Sequence, residues 1–318
     1  MQDESKKLKK TISIVSPAYN EAENVSLMAK EILEVIKKLE DKYDFEIIFV
    51  DDGSDDETWN NIMELNKNDP RVKGLSFARN FGHQIALTAG LDATTGDAVI
   101  YCDSDLQHPP ELFKEMIKKW EEGFKVVHTV RTSTDSEPLS KKVMSKAFYR
   151  FINMLSDVRI EQDMADFKLL DRTALDKLNS MREHNRFLRG MVPWIGYKPA
   201  YVKFIARKRI HGKPWYSFRK NLTFAKTGIL SFSVKPLKYI GYLGLFLMST
   251  SVLAICVGLA MSVITKGWYF SPNVTLTLFN TFLIGVVLTS LGIMSLYLSY
   301  VYYEVIGRPL YIISDKTP

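Results

Sequence analysis

Only two cysteines occur in the 318 residues, Cys102 and Cys256, and neither is placed as part of a disulfide framework. That scarcity suits a reducing compartment. Gly-rich phosphate loops of the P-loop and dinucleotide types are both missing, which removes the usual signatures of ATP hydrolysis and hydride transfer. No apolar core of signal-peptide type follows the charged N-terminal residues, so the N-terminal part is expected not to be exported. Charge itself is missing from two long stretches, Tyr239 to Thr265 and Val274 to Tyr303. Each exceeds the roughly 20 apolar residues that cross a bilayer core as a helix. A pair of buried core helices is the alternative, disfavoured because such helices rarely exceed about 20 residues without a charge. The absence of charge also argues against an ion or proton pathway through these segments, which read as an anchor.

Where charge is present, it is informative. The segment before the first stretch carries Arg219, Lys220, Lys226, Lys235 and Lys238, whereas Lys266 is the one basic residue between the two stretches. The positive-inside rule places the large N-terminal part and the C-terminal tail in the cytoplasm. The net charge of +6 is modest and concentrated near these segments. Attraction to anionic lipid explains it better than nucleic acid does.

Short apolar runs at Ile12–Ser16, Phe45–Val50, Val72–Phe77, Ala98–Cys102 and Val126–Val130 predict strands. Between the first two, Val25, Met28, Ala29, Ile32, Ile36 and Leu39 recur at helical spacing, with Asn20 as N-cap and Glu23 at the capping-box position. Strands alternating with helices predict an α/β fold, a mainly parallel sheet covered on both faces, with ligands beyond the carboxyl ends of the strands. Polar clusters stand at three predicted strand ends: Pro17-Ala18-Tyr19-Asn20-Glu21, Asp51-Asp52-Gly53-Ser54, and Asp103-Ser104-Asp105-Leu106-Gln107-His108-Pro109-Pro110.

Asp103 and Asp105 are two apart, and on a continuing strand their side chains point to the same side. Two such carboxylates can hold a hard divalent cation, Mg²⁺ or Mn²⁺, through oxygen ligands. The cation neutralises charge building on a departing nucleoside diphosphate. A lone Asp-x-Asp is more often a solvated turn; its position after an apolar run favours the metal. Asp51 and Asp52 read either as turn formers before Gly and Ser or as a carboxylate receiving a nucleobase N–H, without indicating which one. Arg79-Asn80-Phe81-Gly82-His83 reads either as a loop entering a helix or as a cationic contact near a nucleotide-sugar.

Taken together, these motifs resemble the family-2 glycosyltransferases of the GT-A (Rossmann-like) fold. More narrowly, nearly the whole chain, with its tail Gly307-Arg308-Pro309-Leu310-Tyr311, is similar to bacterial polyisoprenyl-phosphate glycosyltransferases, relatives of dolichol-phosphate mannose synthase. The resemblance implies that Pro17, Tyr19, Glu21 and Asp52 contact the nucleotide. Asp103, Asp105 and Gln107 surround metal and diphosphate. Asp166, in Ala165-Asp166-Phe167-Lys168, matches the family's usual Asp-Phe-Arg stretch and is the candidate base, with a helix-start carboxylate as the bland alternative. Arg131, Lys198 and Arg209 fall where residues facing phosphates are expected. One departure concerns Arg209-Ile210-His211-Gly212-Lys213-Pro214-Trp215-Tyr216, where Trp215 replaces the family's usual Lys; either Lys213 or Lys220 substitutes for its charge, or the acceptor phosphate relies on Arg131 and Arg209. The acceptor, a phosphate monoester with a second pKa of roughly 6, hardly needs a base. Asp166 therefore has a second candidate role, orienting the acceptor or the sugar hydroxyls. Direct attack by the phosphate predicts inversion at the anomeric carbon.

The expected organisation is a cytoplasmic GT-A domain over residues 1–232, two transmembrane helices within 233–304 (239–265 and 274–303), and a cytoplasmic tail over 305–318. Residues 139–155 and 215–230 mix apolar or aromatic side chains with cations and are expected to lie as amphipathic helices in the membrane interface; the first has a surface helix packed on the sheet as its alternative. The implied partners are a nucleotide-sugar, UDP-glucose or a related UDP-sugar, polyisoprenyl (undecaprenyl) phosphate, and the bacterial inner membrane. The resemblance also implies a homo-oligomer, a tetramer being the candidate size, with Pro309 to Ile313 as a strand pairing with a neighbouring subunit. Rival readings are a GDP-mannose-dependent mannose synthase, a processive polysaccharide synthase and a scaffold that has lost its chemistry. The absence of a Gln-x-x-Arg-Trp segment argues against the synthase, and intact Asp103, Asp105 and Asp166 argue against the scaffold.

Overall fold

The computed structural model describes residues 9–132, 164–205 and 272–318, with the isolated positions 246 and 264. Its centre is an eight-stranded sheet in the order β7-β5-β6-β4-β1-β2-β3-β8. The strands are β1 (Lys10–Ala18), β2 (Tyr43–Asp51), β3 (Val72–Phe77), β4 (Ala98–Tyr101), β5 (Val126–Arg131), β6 (Met164–Asp171), β7 (Pro199–Phe204) and β8 (Ile313–Lys316). Four of the first five cover the predicted strands, Val72–Phe77 coinciding residue for residue, and β4 ends one residue before the predicted Cys102. β1 pairs in parallel with both β2 and β4, β2 with β3, and β5 with β7. β6 runs antiparallel between β4 and β5. The result is the mainly parallel α/β sheet expected from the sequence.

Both faces are covered. One apolar layer joins Ile12, Ile14, Ile47 and Phe49 to Val25, Met28, Ile32 and Ile36 of α1 (Ala22–Ile36), Ile62 of α2 (Thr58–Asn68), and Phe113, Met116 and Trp120 of α4 (Phe113–Glu121). The other joins Val15, Val50, Val99 and Leu170 to α3 (His83–Asp92), α5 (Arg172–Ser180) and α6 (Leu188–Trp194). Strand residues alternate between these layers because successive side chains point to opposite faces. α3 lies close against the sheet: a Cβ on Gly90 would stand 2.3 Å from Val15 Cγ1, so glycine permits that approach.

Several expectations are corrected. The N-cap of α1 is Glu21, not Asn20, and its side chain makes no capping bond. Asn20 instead adopts a left-handed φ of 53°. Its side-chain Oδ1 accepts the Asp55 N–H at 3.0 Å. Asp166 lies in strand β6, not at a helix start. The C-terminal strand begins only at Ile313 and pairs with β3 of the same chain, through Leu75↔Lys316 and Ser76↔Asp315. Tyr311, just before it, stacks on Phe77 with ring centres 5.4 Å apart, which fixes the tail against this edge.

The second uncharged stretch lies within the 35-residue helix α7 (Pro272–Ile306). Leu276, Val287, Leu291 and Leu298 on it are exposed. Among the described residues alone, no helix is long and apolar enough to cross a membrane. The expected interface helices over 139–155 and 215–230, Arg209, the Trp215 departure, and all of the first stretch except Phe246 lie outside the described residues, apart also from Ile264.

Candidate active site

Because β1, β2 and β4 are parallel, their carboxyl ends emerge at one edge, and β1 is the point where the chain switches from one side of the sheet to the other. Ligands bind at such a switch. The polar clusters converge here and are knitted together. Ser104 Oγ donates to Pro17 O at 2.9 Å and lies 2.7 Å from Ser16 Oγ, closing β4's end onto β1's. Asp52 N donates to Ala18 O at 2.9 Å, and Asn20 N to Ser54 Oγ at 2.9 Å. Glu21 N reaches Thr58 Oγ1 at 3.0 Å.

The two adjacent aspartates have separate tasks. Asp51 is buried and accepts from Ser54 N at 3.0 Å and Ser76 Oγ at 2.8 Å, which shapes its own turn. Asp52 is buried too, but reaches across to the Arg79–His83 loop, accepting from Phe81 N at 2.7 Å and Gly82 N at 2.9 Å. Burial pushes the Asp52 carboxyl up to about 6, against the pull of those two N–H groups. Gly53, with φ of 68°, completes the clamp, since a Cβ there would stand 2.4 Å from the Arg79 carbonyl carbon. Arg79 is exposed, its guanidinium 4.0 Å above the Phe81 ring. The sequence left open which aspartate receives a nucleobase; the structure shows both engaged within the loops.

Beyond β4 the chain turns instead of continuing as a strand, so Asp103 and Asp105 are held by a turn in which Leu106 has a φ of 62°. Asp103 N donates to His108 Nδ1 at 3.1 Å, and Gln107 N to Asp105 Oδ1 at 3.1 Å. Asp103 Oδ1 is buried without a hydrogen bond, although His83 Nε2 stands 3.3 Å away. Burial raises the Asp103 carboxyl, with Asp166 and Asp105 adding to the rise and His83 and His108 opposing it. An orphaned carboxylate oxygen beside a second carboxylate fits a divalent cation. Among the described residues no group of three or more His, Cys, Asp or Glu stands together that could hold one.

β6 runs opposite to its neighbours, so it is its amino end that reaches the cleft. This brings Asp166 opposite the Asp103 turn. Asp166 is buried and gripped by Arg189 of α6: Nε donates to both carboxylate oxygens, at 2.9 and 3.0 Å, and Nη2 lies 2.8 Å from Oδ2. Burial alone would raise this carboxyl, but the Arg189 guanidinium, aided by Lys168, holds it well below the usual carboxylate range. A carboxylate so held is a weak proton acceptor at neutral pH. α6 is itself placed by Gln84, whose Oε1 accepts the Leu188 N–H at 3.0 Å.

Of the other expected residues, Pro17 is buried in the β1 end, Tyr19 and Glu21 are half-buried beside it, and Arg131 closes β5 exposed at the cleft edge. Lys198 is not brought to the cleft. It precedes β7, whose Pro199 pairs with Val126 at the far end of β5, and it sits with Glu122, Phe124, Lys125 and Tyr197. Six residue steps separate it from Phe204 at the cleft end of β7, on the order of 20 Å. Sequence reasoning missed Arg189 and Lys168. The signal for Lys168 was present as the alternation Asp166-Phe167-Lys168 around a buried aromatic.

The sequence pattern of the family described as "Glycosyl transferase family 2" matches residues 13–179, which contain every element of this cleft except α6. An uncharacterized glycosyltransferase, YkcC of Bacillus subtilis, is 40% identical over 310 residues, covering 96% of this chain and 93% of its own length. The bactoprenol glucosyl transferase of Shigella phage SfX is 35% identical over 305 residues, covering 96% and 99%. A solved mannosyltransferase from Pyrobaculum calidifontis, in complex with GDP-Man and Mn²⁺, aligns over 90% of this chain and 88% of its own at 16% identity and a TM-score of 0.47, a likeness on which nothing further rests. With the strand-end clusters converged on one cleft and the match running through them, the chain belongs to glycosyl transferase family 2 and is a glycosyltransferase.

Proposed function

We propose that the chain transfers a hexose from a nucleotide-sugar, UDP-glucose or a related UDP-sugar, to undecaprenyl phosphate, with inversion at the anomeric carbon. The observation that carries this reading is the extent of the similarity to a bactoprenol glucosyl transferase. It runs over 96% of this chain and so includes the hydrophobic C-terminal part as well as the catalytic cleft. A lipid acceptor gives that part a purpose.

In this reading the cleft works at the cytoplasmic face of the bacterial inner membrane, as the catalytic domain of residues 1–232. Residues 233–304 supply two spans. The second is assigned from the sequence, because Val274 to Tyr303 carries no charge over more than the roughly 20 residues that cross a bilayer core. Exposed Leu276, Val287, Leu291 and Leu298 would face lipid. Asp103 and Asp105 would hold Mg²⁺ or Mn²⁺, which when bound neutralises the charge of the departing nucleoside diphosphate. Asp52 and Gly53 keep the Arg79 loop beside the nucleotide, with Pro17, Tyr19 and Glu21 on its other side. Gln107 lies next to the diphosphate, and Arg131 and Arg209 supply charge toward phosphate. Asp166 anchors Arg189 in the cleft floor. The acceptor phosphate is largely a dianion at neutral pH and attacks without surrendering a proton to the protein.

The test is transfer from a panel of labelled nucleotide-sugars to undecaprenyl phosphate, with Mg²⁺ or Mn²⁺, by the purified protein and its Asp105→Asn variant. Metal-dependent labelled lipid from one donor, lost in the variant and inverted by NMR of the product, is expected. Nucleotide binding without any lipid product would sink the acceptor assignment, and retained configuration would sink the single displacement.

A further inference from the structure

Lys168 is fully buried, yet its ammonium makes no hydrogen bond. It stands in β6 opposite Tyr101 of β4 and His128 of β5, so the three side chains form one row on one face of the sheet. Its Nζ is 6.0 Å from the centre of the Tyr101 ring. The Tyr101 hydroxyl and His128 Nδ1 are also buried without partners. Asp166 lies two residues earlier on the same face, one step nearer the cleft, with Arg189 of α6 locked onto it. The row behind the cleft thus holds one carboxylate between two cations.

An apolar side chain of similar length would fill this space without the penalty of a buried, unpaired ammonium. Asp166 needs no second cation for hydrogen bonding, because Arg189 already contacts both of its oxygens. The charge therefore has an electrostatic use. Facing it are Asp166 on its own strand, Arg189 on α6, Tyr101 on β4 with Asp103 beyond, and His128 on β5. Burial pushes Lys168 down to about 8, with Arg189 adding to the fall and Asp166 opposing it. His128 is pushed down to about 3 by burial and by Lys168, so it stays neutral at working pH. Burial also raises the Tyr101 hydroxyl well above its ordinary value.

We infer that Lys168 is a positioning residue of the transfer reaction: its buried ammonium, together with the Arg189 guanidinium, gives the cluster around Asp166 a net positive charge behind the place where the phosphate groups of donor and acceptor meet. The inference rests on the proposed function and deepens it. Lys168 touches neither substrate; it acts through Asp166 and Arg189. Its charge is one that mild alkali removes, unlike the Arg that the family's usual Asp-Phe-Arg stretch carries at this position.

The test is the transfer rate of the full-length protein between pH 6 and 10, for wild type, Lys168→Arg and Lys168→Met, with thermal unfolding of each. The wild type should lose activity on an alkaline limb centred near 8. Lys168→Arg, whose guanidinium stays charged, should keep its rate across that limb. Lys168→Met should lose about tenfold or more in kcat below the limb, with a donor KM within about twofold, and should converge on the wild-type rate toward pH 10. If Lys168→Met does not fold, the Arg variant carries the test alone. An alkaline limb unchanged in Lys168→Arg, or a wild-type kcat in a folded Lys168→Met, overturns the inference while leaving the transfer reading intact. A wild type that transfers no sugar at any pH overturns the transfer reading and this inference with it.

Discussion

Replacing Arg189 by Met tests the tightest charged contact of the cleft. Asp166 is buried and its side chain only 6% exposed, and three contacts of 2.8 to 3.0 Å come from this one guanidinium. Removing one member of a buried pair strands the other, at a cost of about 3–5 kcal/mol. Against a domain stability of about 5–15 kcal/mol that is a large fraction. Asp166→Leu should cost roughly as much, by stranding Arg189 and Lys168 together. The double variant strands neither member of the pair, so its loss should fall short of the summed single losses by about 2–3 kcal/mol. Urea unfolding of the detergent-solubilised proteins, followed by tryptophan fluorescence, measures all four corners of the cycle. The pH dependence has a definite sign. In the wild type the Asp166 carboxyl is depressed, so its stabilisation is present above the unfolded value of about 3.9 and is lost only as pH falls through the lower folded value. In Arg189→Met burial dominates and the carboxyl rises, so that variant should gain stability relative to wild type as pH falls toward 5. Transfer rates should be non-additive as well, the double variant no slower than the slower single, because the pair acts as one unit. Single losses that add within about 0.5 kcal/mol, with rate losses that multiply, would refute the pairing and return Asp166 to independent chemistry.

Other perturbations separate the cleft from its surroundings. Gly53→Ala should cost about 1–3 kcal/mol and raise the KM for the nucleotide-sugar, since the new Cβ would strike the Arg79 backbone; a wild-type KM by initial-rate kinetics would count against the clamp. Lys198→Ala should leave transfer within about twofold, because Lys198 lies at the far end of β7; a loss of tenfold would mean that the acceptor reaches that edge. Glu46, buried under Ser13, Thr95 and Lys73, has a carboxyl that burial would raise but that these hydrogen bonds hold down to about 2. That lies well below its ordinary value and is worth about 2–3 kcal/mol once the partly exposed Lys73 is discounted. Wild type should lose this stability as pH falls from about 5 toward 2, and Glu46→Gln should lack that component of the loss, which acid titration of the unfolding midpoint checks.

The first half of the chain was legible because its strands are ordinary buried parallel strands. Ile12, Ile14, Ile47, Phe49, Val99 and Ile100 make mostly apolar runs, with Ser13 and Glu46 as buried exceptions, and turn residues mark where each ends. A residue's place at a strand end was therefore readable, and it led to Asp52, Asp103 and Asp105. β6 was not readable in the same way. Its eight residues include Asp166, Lys168 and Asp171, all buried, and a strand with that much charge resembles a loop or a helix start. What makes it a strand is non-local: it fills the gap between β4 and β5, and α6 brings an arginine from 23 residues away to neutralise Asp166. No local spacing encodes that pairing. Lys198 lies away from the expected place for a related reason. A basic residue just before a strand was placed by resemblance alone, and only the register of β7 against β5 shows which end of the sheet it occupies. Strand polarity decides the matter for both residues. Reversing β6 carries Asp166 to the cleft from the amino end of its strand, whereas the parallel direction of β7 carries Lys198 away from it.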